Sequence, residues 1–182
     1  MGSAAKYGEV AAANNPISEQ QILKPISIYG WTKAAQSQLA SVYVQSFGVD
    51  VMVARTFNLI GGGASDKLFI GRVQKQINAV LAGAATRIQV GNVDAIRDYL
   101  DIHKACEMYQ HIASKGLCGE VYNVASGKPV VMRDFLQDWL KDSGLDYALV
   151  DEKAYSKTSS ARETSVNYAS IDKVLKLLSI RH

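Results

Sequence analysis

The sequence predicts an α/β fold, and two adjoining stretches carry that expectation. Across residues 27–47 the apolar positions Trp31, Ala35, Leu39, Val42 and Tyr43 fall at helical spacing, and Gly48 stands where such a helix would be capped. Residues 49–57 then run almost without interruption through Val49, Val51, Met52, Val53 and Ala54, which is how a strand covered on both faces reads. A helix joined by a tight glycine link to a buried strand is the unit of a layered α/β architecture.

The remaining elements follow in order. Residues 1–8 read as the end of a strand and its loop. Residues 11–25 form a loop, turned at Asn14-Asn15-Pro16. Gly61-Gly62-Gly63 opens a flexible segment. Phe69, Val73, Ile77, Val80 and Leu81 then share one face of a helix over residues 69–81. A strand is expected over 87–90, turned by Gly91-Asn92, and a helix over 99–113. A strand over 119–124 is turned by Ser126-Gly127. The helix over 131–143 carries Phe135, Leu136, Trp139 and Leu140. A strand over 146–150, a polar loop over 156–164 and a last helix over 168–178 complete the chain. No linker is long enough to divide it, so one compact domain over 1–182 is expected.

The chain has 182 residues and 48% hydrophobic content, enough for one sizeable core. Its 20 basic and 17 acidic residues leave +3, scattered, which argues for neither nucleic acid nor an anionic membrane. Cys106 and Cys118 form neither a disulfide framework nor a metal pattern, and read as ordinary thiols of a reducing compartment. No metal site is expected. No apolar run is long enough for a membrane span, and no signal-peptide pattern opens the chain, so the expectation is a cytoplasmic protein.

The chemistry centres on Tyr29-Gly30-Trp31-Thr32-Lys33. Residues four apart on a helix share a face. An ammonium beside a phenol favours the phenolate and lowers its pKa from about 10, so Tyr29 can act as a general acid or base. Lys33 has donors to spare for a hydroxyl-bearing ligand. Taken alone, a Tyr and a Lys at this spacing are ordinarily a core edge and a solvated face; the neighbouring motifs decide. Ser3 precedes in Gly2-Ser3-Ala4-Ala5-Lys6-Tyr7-Gly8, where it reads either as a hydroxyl bridging substrate and Tyr29 or as a turn cap. Asn58 closes Arg55-Thr56-Phe57-Asn58 and reads either as a binding residue or as a strand-end turn. Arg97 lies in Gly91-Asn92-Val93-Asp94-Ala95-Ile96-Arg97-Asp98. Its guanidinium suits phosphate or a base, while Arg97-Asp98 also reads as a local ion pair at a helix start, with Asp98 and Asp101 suited to the dipole.

In order and spacing these motifs resemble the extended short-chain dehydrogenase/reductases that act on nucleotide sugars. Pro16-Ile17-Ser18-Glu19 and Lys24-Pro25-Ile26-Ser27-Ile28-Tyr29 resemble that family's run into its catalytic tyrosine. The Gly91 to Asp98 run is similar to the GDP-mannose dehydratase and GDP-deoxymannose reductase branch. The resemblance implies catalytic roles for Ser3, Tyr29 and Lys33. It implies contact with NAD or NADP through Tyr29, Lys33 and, loosely, Phe57. It implies nucleotide-sugar binding, a GDP-sugar favoured, by Asn58, Arg97 and Arg162, the last of which otherwise reads as a solvated loop arginine. A 4-keto-6-deoxy-sugar reductase is the best fit. An epimerase or dehydratase is the alternative, and Ala4, Ala5 and Lys6 stand where a dehydratase of this type usually has an acidic residue.

One element of that family is not matched. No Gly-x-x-Gly-x-x-Gly follows a first strand, so the resemblance implies a Rossmann-like parallel sheet truncated of its cofactor half, plus the small substrate-binding subdomain. Residues 1–60 and parts of 85–125 would be the sheet remnant with the catalytic helix; residues 61–84 and 126–182 would be the subdomain. A truncated parallel sheet exposes an edge, so a homo-oligomer or a partner chain is expected to cover it, and cofactor binding by this chain alone is expected to be weak. Two further readings stand beside the enzyme: a non-catalytic nucleotide-sugar-binding module and a partner-dependent fragment.

Overall fold

The computed structural model describes residues 1–152 and 166–179. Its elements run β1 (Gly2–Ser3), α1 (Ile28–Phe47), β2 (Val53–Thr56), β3 (Asn58–Ile60), α2 (Phe69–Leu81), β4 (Ile88–Gln89), β5 (Ile96–Arg97), β6 (Tyr99–Asp101), α3 (Ile102–Lys115), β7 (Val121–Val124), β8 (Val130–Val131), α4 (Met132–Asp142), β9 (Val150–Asp151), β10 (Val166–Asn167) and α5 (Asp172–Ser179). They cluster into two compact units, residues 1–59, 98–129 and 166–182 in the first, and 60–97 and 130–165 in the second.

The first unit is built on a parallel sheet in the order β1-β2-β7, with Gly2 opposite Arg55 and Val53 opposite Val121. This is the α/β layering expected. One core joins Ala54, Tyr122 and Val124 of the sheet to Met108 and Ile112 of α3 and Val174 and Leu177 of α5. A second cluster gathers Tyr7, Ile17, Phe57, Ala125 and Ala169. Helix α1 begins because the Ser27 hydroxyl accepts the Gly30 N–H at 3.0 Å, and ends because Gly48 takes a left-handed φ of 64° that a side chain would resist.

The apolar stripe of α1 does not become core. Trp31 is 63% exposed and Leu39, Val42, Tyr43 and Phe47 are exposed as well, while only Gly30 and Ala34 of this helix are buried. Gly30 faces inward because the helix lies too close to the Ala4–Lys6 turn and Pro25 there for a side chain. The expected helix over 99–113 is also corrected. Residues 99–101 are strand β6, and α3 starts at Ile102 with the Asp101 carboxylate accepting the His103 and Lys104 N–H groups. Asp101 therefore serves the helix start; Asp98 does not.

The second unit packs α2 and α4 around Val73, Ile77, Ile88, Val90, Leu136 and Leu140. β4 pairs in parallel with β9, Ile88 opposite Val150, and β5 pairs antiparallel with β8, Ile96 opposite Val131. The strand expected over 146–150 is instead a single turn, Tyr147–Leu149, with the Asp146 carboxylate accepting the Ala148 N–H at 2.7 Å; the strand proper is Val150–Asp151. Arg133 of α4 ties this unit together, reaching Asp94 at 2.8 Å, the Tyr147 hydroxyl at 3.2 Å and the Glu152 carboxylate.

Candidate active site

Tyr29 and Lys33 sit one turn apart on α1, as the spacing requires, with the Lys33 Nζ 6.0 Å from the centre of the Tyr29 ring. The Tyr29 hydroxyl has no hydrogen-bond partner among the described residues, and the side chain is 56% exposed. Lys33 donates to the Gln36 side chain at 3.2 Å and to the Met1 carbonyl at 3.4 Å, which leaves one of its three N–H groups for a ligand. The contact with Met1 brings the lysine against the start of β1.

Gly30 fixes how closely α1 meets the turn after β1. A Cβ at this position would lie 2.6 Å from the Ala5 carbonyl oxygen and 3.0 Å from Pro25. The helix can therefore touch the Ala4–Lys6 turn at the residue beside Tyr29. Ser3 caps that turn: its hydroxyl oxygen accepts the Ala5 N–H at 3.2 Å. The capping reading of Ser3 is thus present in the structure, and its hydroxyl proton remains available to donate.

Lys6, on the same turn, is wholly removed from solvent and donates to the Ser37 hydroxyl of α1. Burial, followed by the nearby Arg55 and Lys33 cations, pushes its amine down to about 8 from an ordinary 10.5. No sequence pattern flags Lys6; its signal is the unusual cation just before Tyr7-Gly8 in an otherwise small and apolar turn.

The loop that leads into α1 is pinned by a buried polar network. Arg55 donates to the Tyr7 hydroxyl at 3.1 Å and to the Glu19 carbonyl at 2.9 Å. The Tyr7 hydroxyl donates to the Asn123 amide oxygen at 2.7 Å; the Asn123 side chain donates to Ile17, and its backbone N–H to the Glu19 carboxylate. Burial pushes the Tyr7 phenol up, against the pull of Arg55. Glu19, quoted from the sequence as part of a motif, has this structural task.

Phe57 is buried against Tyr7, and its backbone N–H donates to Val124 at 3.0 Å. Asn58 donates from its amide to the Asp98 carbonyl at 3.0 Å, so it fixes the strand end while its amide oxygen remains an acceptor. Asp98 departs furthest from its sequence reading. It is fully buried, and its carboxylate accepts from the Ser126 N–H and hydroxyl, both at 2.7 Å, the Gly127 N–H at 3.0 Å and the Ala169 N–H at 3.2 Å. It anchors three separated segments and forms no ion pair with Arg97. Arg97 belongs to the second unit and donates to its own neighbour's carbonyl, Ile96, at 3.0 Å. Arg162 lies outside the described residues.

The model of the GDP-mannose 4,6 dehydratase family matches residues 1–176. The chain belongs to this family. GDP-6-deoxy-D-mannose reductase of Pseudomonas aeruginosa is 32% identical over 164 residues, 90% of this chain and 54% of that protein. GDP-6-deoxy-D-talose 4-dehydrogenase of Aggregatibacter actinomycetemcomitans is 27% identical over 111 residues, 61% of this chain and 36% of that one. Among solved structures, RMD from Pseudomonas aeruginosa complexed with NADPH matches with a TM-score of 0.88 at 29% identity, over 97% of this chain and 58% of that one. The dTDP-glucose 4,6-dehydratase DesIV of Streptomyces venezuelae, solved with NAD and TYD bound, shares the fold with a TM-score of 0.82 at 20% identity, over 99% and 53%. The chain spans about half the length, or less, of the curated relatives it matches. Relatives of this family are nucleotide-sugar reductases, dehydratases and epimerases, so the resemblance read from the motifs holds at that level. No helix among the described residues is long and apolar enough to cross a membrane.

Proposed function

We propose that this chain carries the acid–base and substrate-binding part of an NAD(P)-dependent nucleotide-sugar oxidoreductase of the 4-keto-6-deoxy-sugar reductase type. One observation carries the reading: Tyr29, its hydroxyl unpartnered, stands one turn from Lys33 where α1 touches the turn that Ser3 caps. In the reducing direction Tyr29 gives its proton to the oxygen of a sugar carbonyl as that carbon is reduced, and the product is the alcohol. The nearby Lys33 ammonium stabilises the phenolate left behind. Ser3 donates to the same oxygen and holds it in line.

The residues present fit one end of a nicotinamide cofactor. Lys33, with one N–H to give, and Tyr29 would hold the ribose next to the nicotinamide, and Phe57 would border the ring. Among the described residues, no glycine-rich turn links a strand directly to a helix N-terminus that could receive the pyrophosphate: α2 begins six residues after Gly63. When bound, the cofactor supplies the hydride. Substrate binding falls to Asn58, Arg97 and Arg162, and the Gly91 to Asp98 run favours a GDP-sugar. On this reading residues 1–60 and parts of 85–125 are the catalytic sheet, residues 61–84 and 126–182 the substrate subdomain, and a second copy or partner chain covers the open edge of β1.

The deciding experiment is a calorimetric titration of the chain with NADPH, NADH and GDP-mannose. GDP-mannose binding with little or no dinucleotide binding is the expected outcome. Binding of neither class would overturn the nucleotide-sugar reading. GDP-mannose binding with no reduction of a GDP-4-keto-6-deoxy-sugar by NADPH, even when a dinucleotide-binding half is supplied, would favour the non-catalytic module.

A further inference from the structure

A cleft of about 700 Å³ lies within the second unit, between α2, α4 and the loop that begins at Gly61. It uses none of the residues assigned above to catalysis or nucleotide-sugar binding, and its volume is that of a small-molecule site. Its walls are built from residues one helical turn apart. Phe135 and Trp139 form an aromatic row on α4, their rings 5.7 Å apart and tilted. Asp138 and Asp142 form a carboxylate row on the same helix. Across the cleft, Gln74 and Asn78 form an amide row on α2, joined by a hydrogen bond of 3.0 Å. Gly62 and Gly63 complete the rim, and even an added Cβ there would meet nothing within 4 Å, so that side stands open.

The lining carries three carboxylates, Asp66, Asp138 and Asp142, and one ammonium, Lys75. Lys75 is paired with Asp66 at 3.2 Å, so their charges cancel. Asp138 and Asp142 enter none of the ion pairs among the described residues. Among the described residues the cleft therefore presents two carboxylates outside any ion pair beside the indole of Trp139, a combination that attracts cations and repels phosphate or carboxylate ligands. The amide row can give or accept hydrogen bonds opposite the rings.

We propose that this cleft binds an organic cation, its apolar body against Trp139 and its ammonium group held by Asp138 and Asp142. The inference does not depend on the proposed oxidoreductase function.

The test uses intrinsic fluorescence. Trp31→Phe leaves Trp139 as the only tryptophan, and three probes of similar size are titrated: benzyltrimethylammonium, benzyl alcohol and benzoate. The cation is expected to give a saturable signal with affinity at least about tenfold above that of the alcohol, and benzoate to give none. The double substitution Asp138→Asn/Asp142→Asn, at exposed positions that leave the circular-dichroism spectrum unchanged, should erase the preference for the cation. Equal binding of all three probes, a preference that survives the double substitution, or no saturable signal would overturn the proposal. So would competition by GDP-mannose, which would merge the cleft with the nucleotide-sugar site.

Discussion

Lys6, with no solvent exposure, gives its hydrogen bond to Ser37, a hydroxyl rather than a carboxylate. Among the described residues no anion pairs with the ammonium, and the Arg55 cation on β2 and the Lys33 cation on α1 act against it. The folded protein therefore holds this proton less tightly than the unfolded chain does. Between about 8 and 10.5 the unfolded state binds more protons, so stability rises with pH through that window. Below pH 8 the lysine is charged in both states and the full cost is present. Lys6→Met should stabilise the protein by roughly 1–3 kcal/mol at pH 7, and the gain should shrink towards pH 10. Urea unfolding at the two pH values checks it; a gain independent of pH would show that packing, not charge, is responsible.

Gly30→Ala places a methyl group 2.6 Å from the Ala5 carbonyl, a backbone atom that cannot step aside. The expected loss is about 1–3 kcal/mol, with α1 pushed away from the Ala4–Lys6 turn. If the substitution raised stability, as alanine does in an ordinary helix interior, the close approach would be refuted.

Asp98→Asn keeps the size of a side chain that accepts four hydrogen bonds but turns one acceptor into a donor facing N–H groups. A loss of about 2–4 kcal/mol is expected. Denaturant melts are the measurement, and a change under about 0.5 kcal/mol would mean that the buried anchor is not a determinant of the fold.

Tyr29→Phe removes a hydroxyl with no hydrogen-bond partner among the described residues, so stability should change by less than about 0.5 kcal/mol and GDP-mannose affinity by less than about twofold. Turnover in an assembly that supplies the dinucleotide half should fall by at least about a hundredfold. Arg97→Gln should show the converse, weakening GDP-mannose binding by about tenfold with the fold intact. Reversed results would exchange the roles given to the two residues.

Much of the fold is legible in the chain. The period over residues 27–47, followed by Gly48, gives α1 and its C-terminal cap, because capping depends on local backbone chemistry; that Ser27 is the N-cap is seen in the structure. Of the apolar run after it, Val53 and Ala54 enter β2, whereas Val49, Val51 and Met52 precede the strand and Val49 is exposed, so the run marks the strand without fixing where it starts. Two misses have separate causes. Tyr99–Asp101 reads as the start of a helix because apolar spacing alone cannot tell a short strand from a helical turn. Asp146 opens a turn rather than a strand because its side chain captures a backbone N–H.

By itself the sequence determined the main helices, the Tyr29–Lys33 spacing and the family, since each depends on residue type and separation along the chain. Only the tertiary structure decided that the Trp31–Tyr43 stripe faces outward, that Gly30 is needed for contact, that Asp98 is an anchor rather than half of an ion pair, and that Lys6 is buried without an anion. Burial and hydrogen-bond partnership are properties of residues brought together from distant segments, and no local pattern encodes which of several polar groups ends up inside.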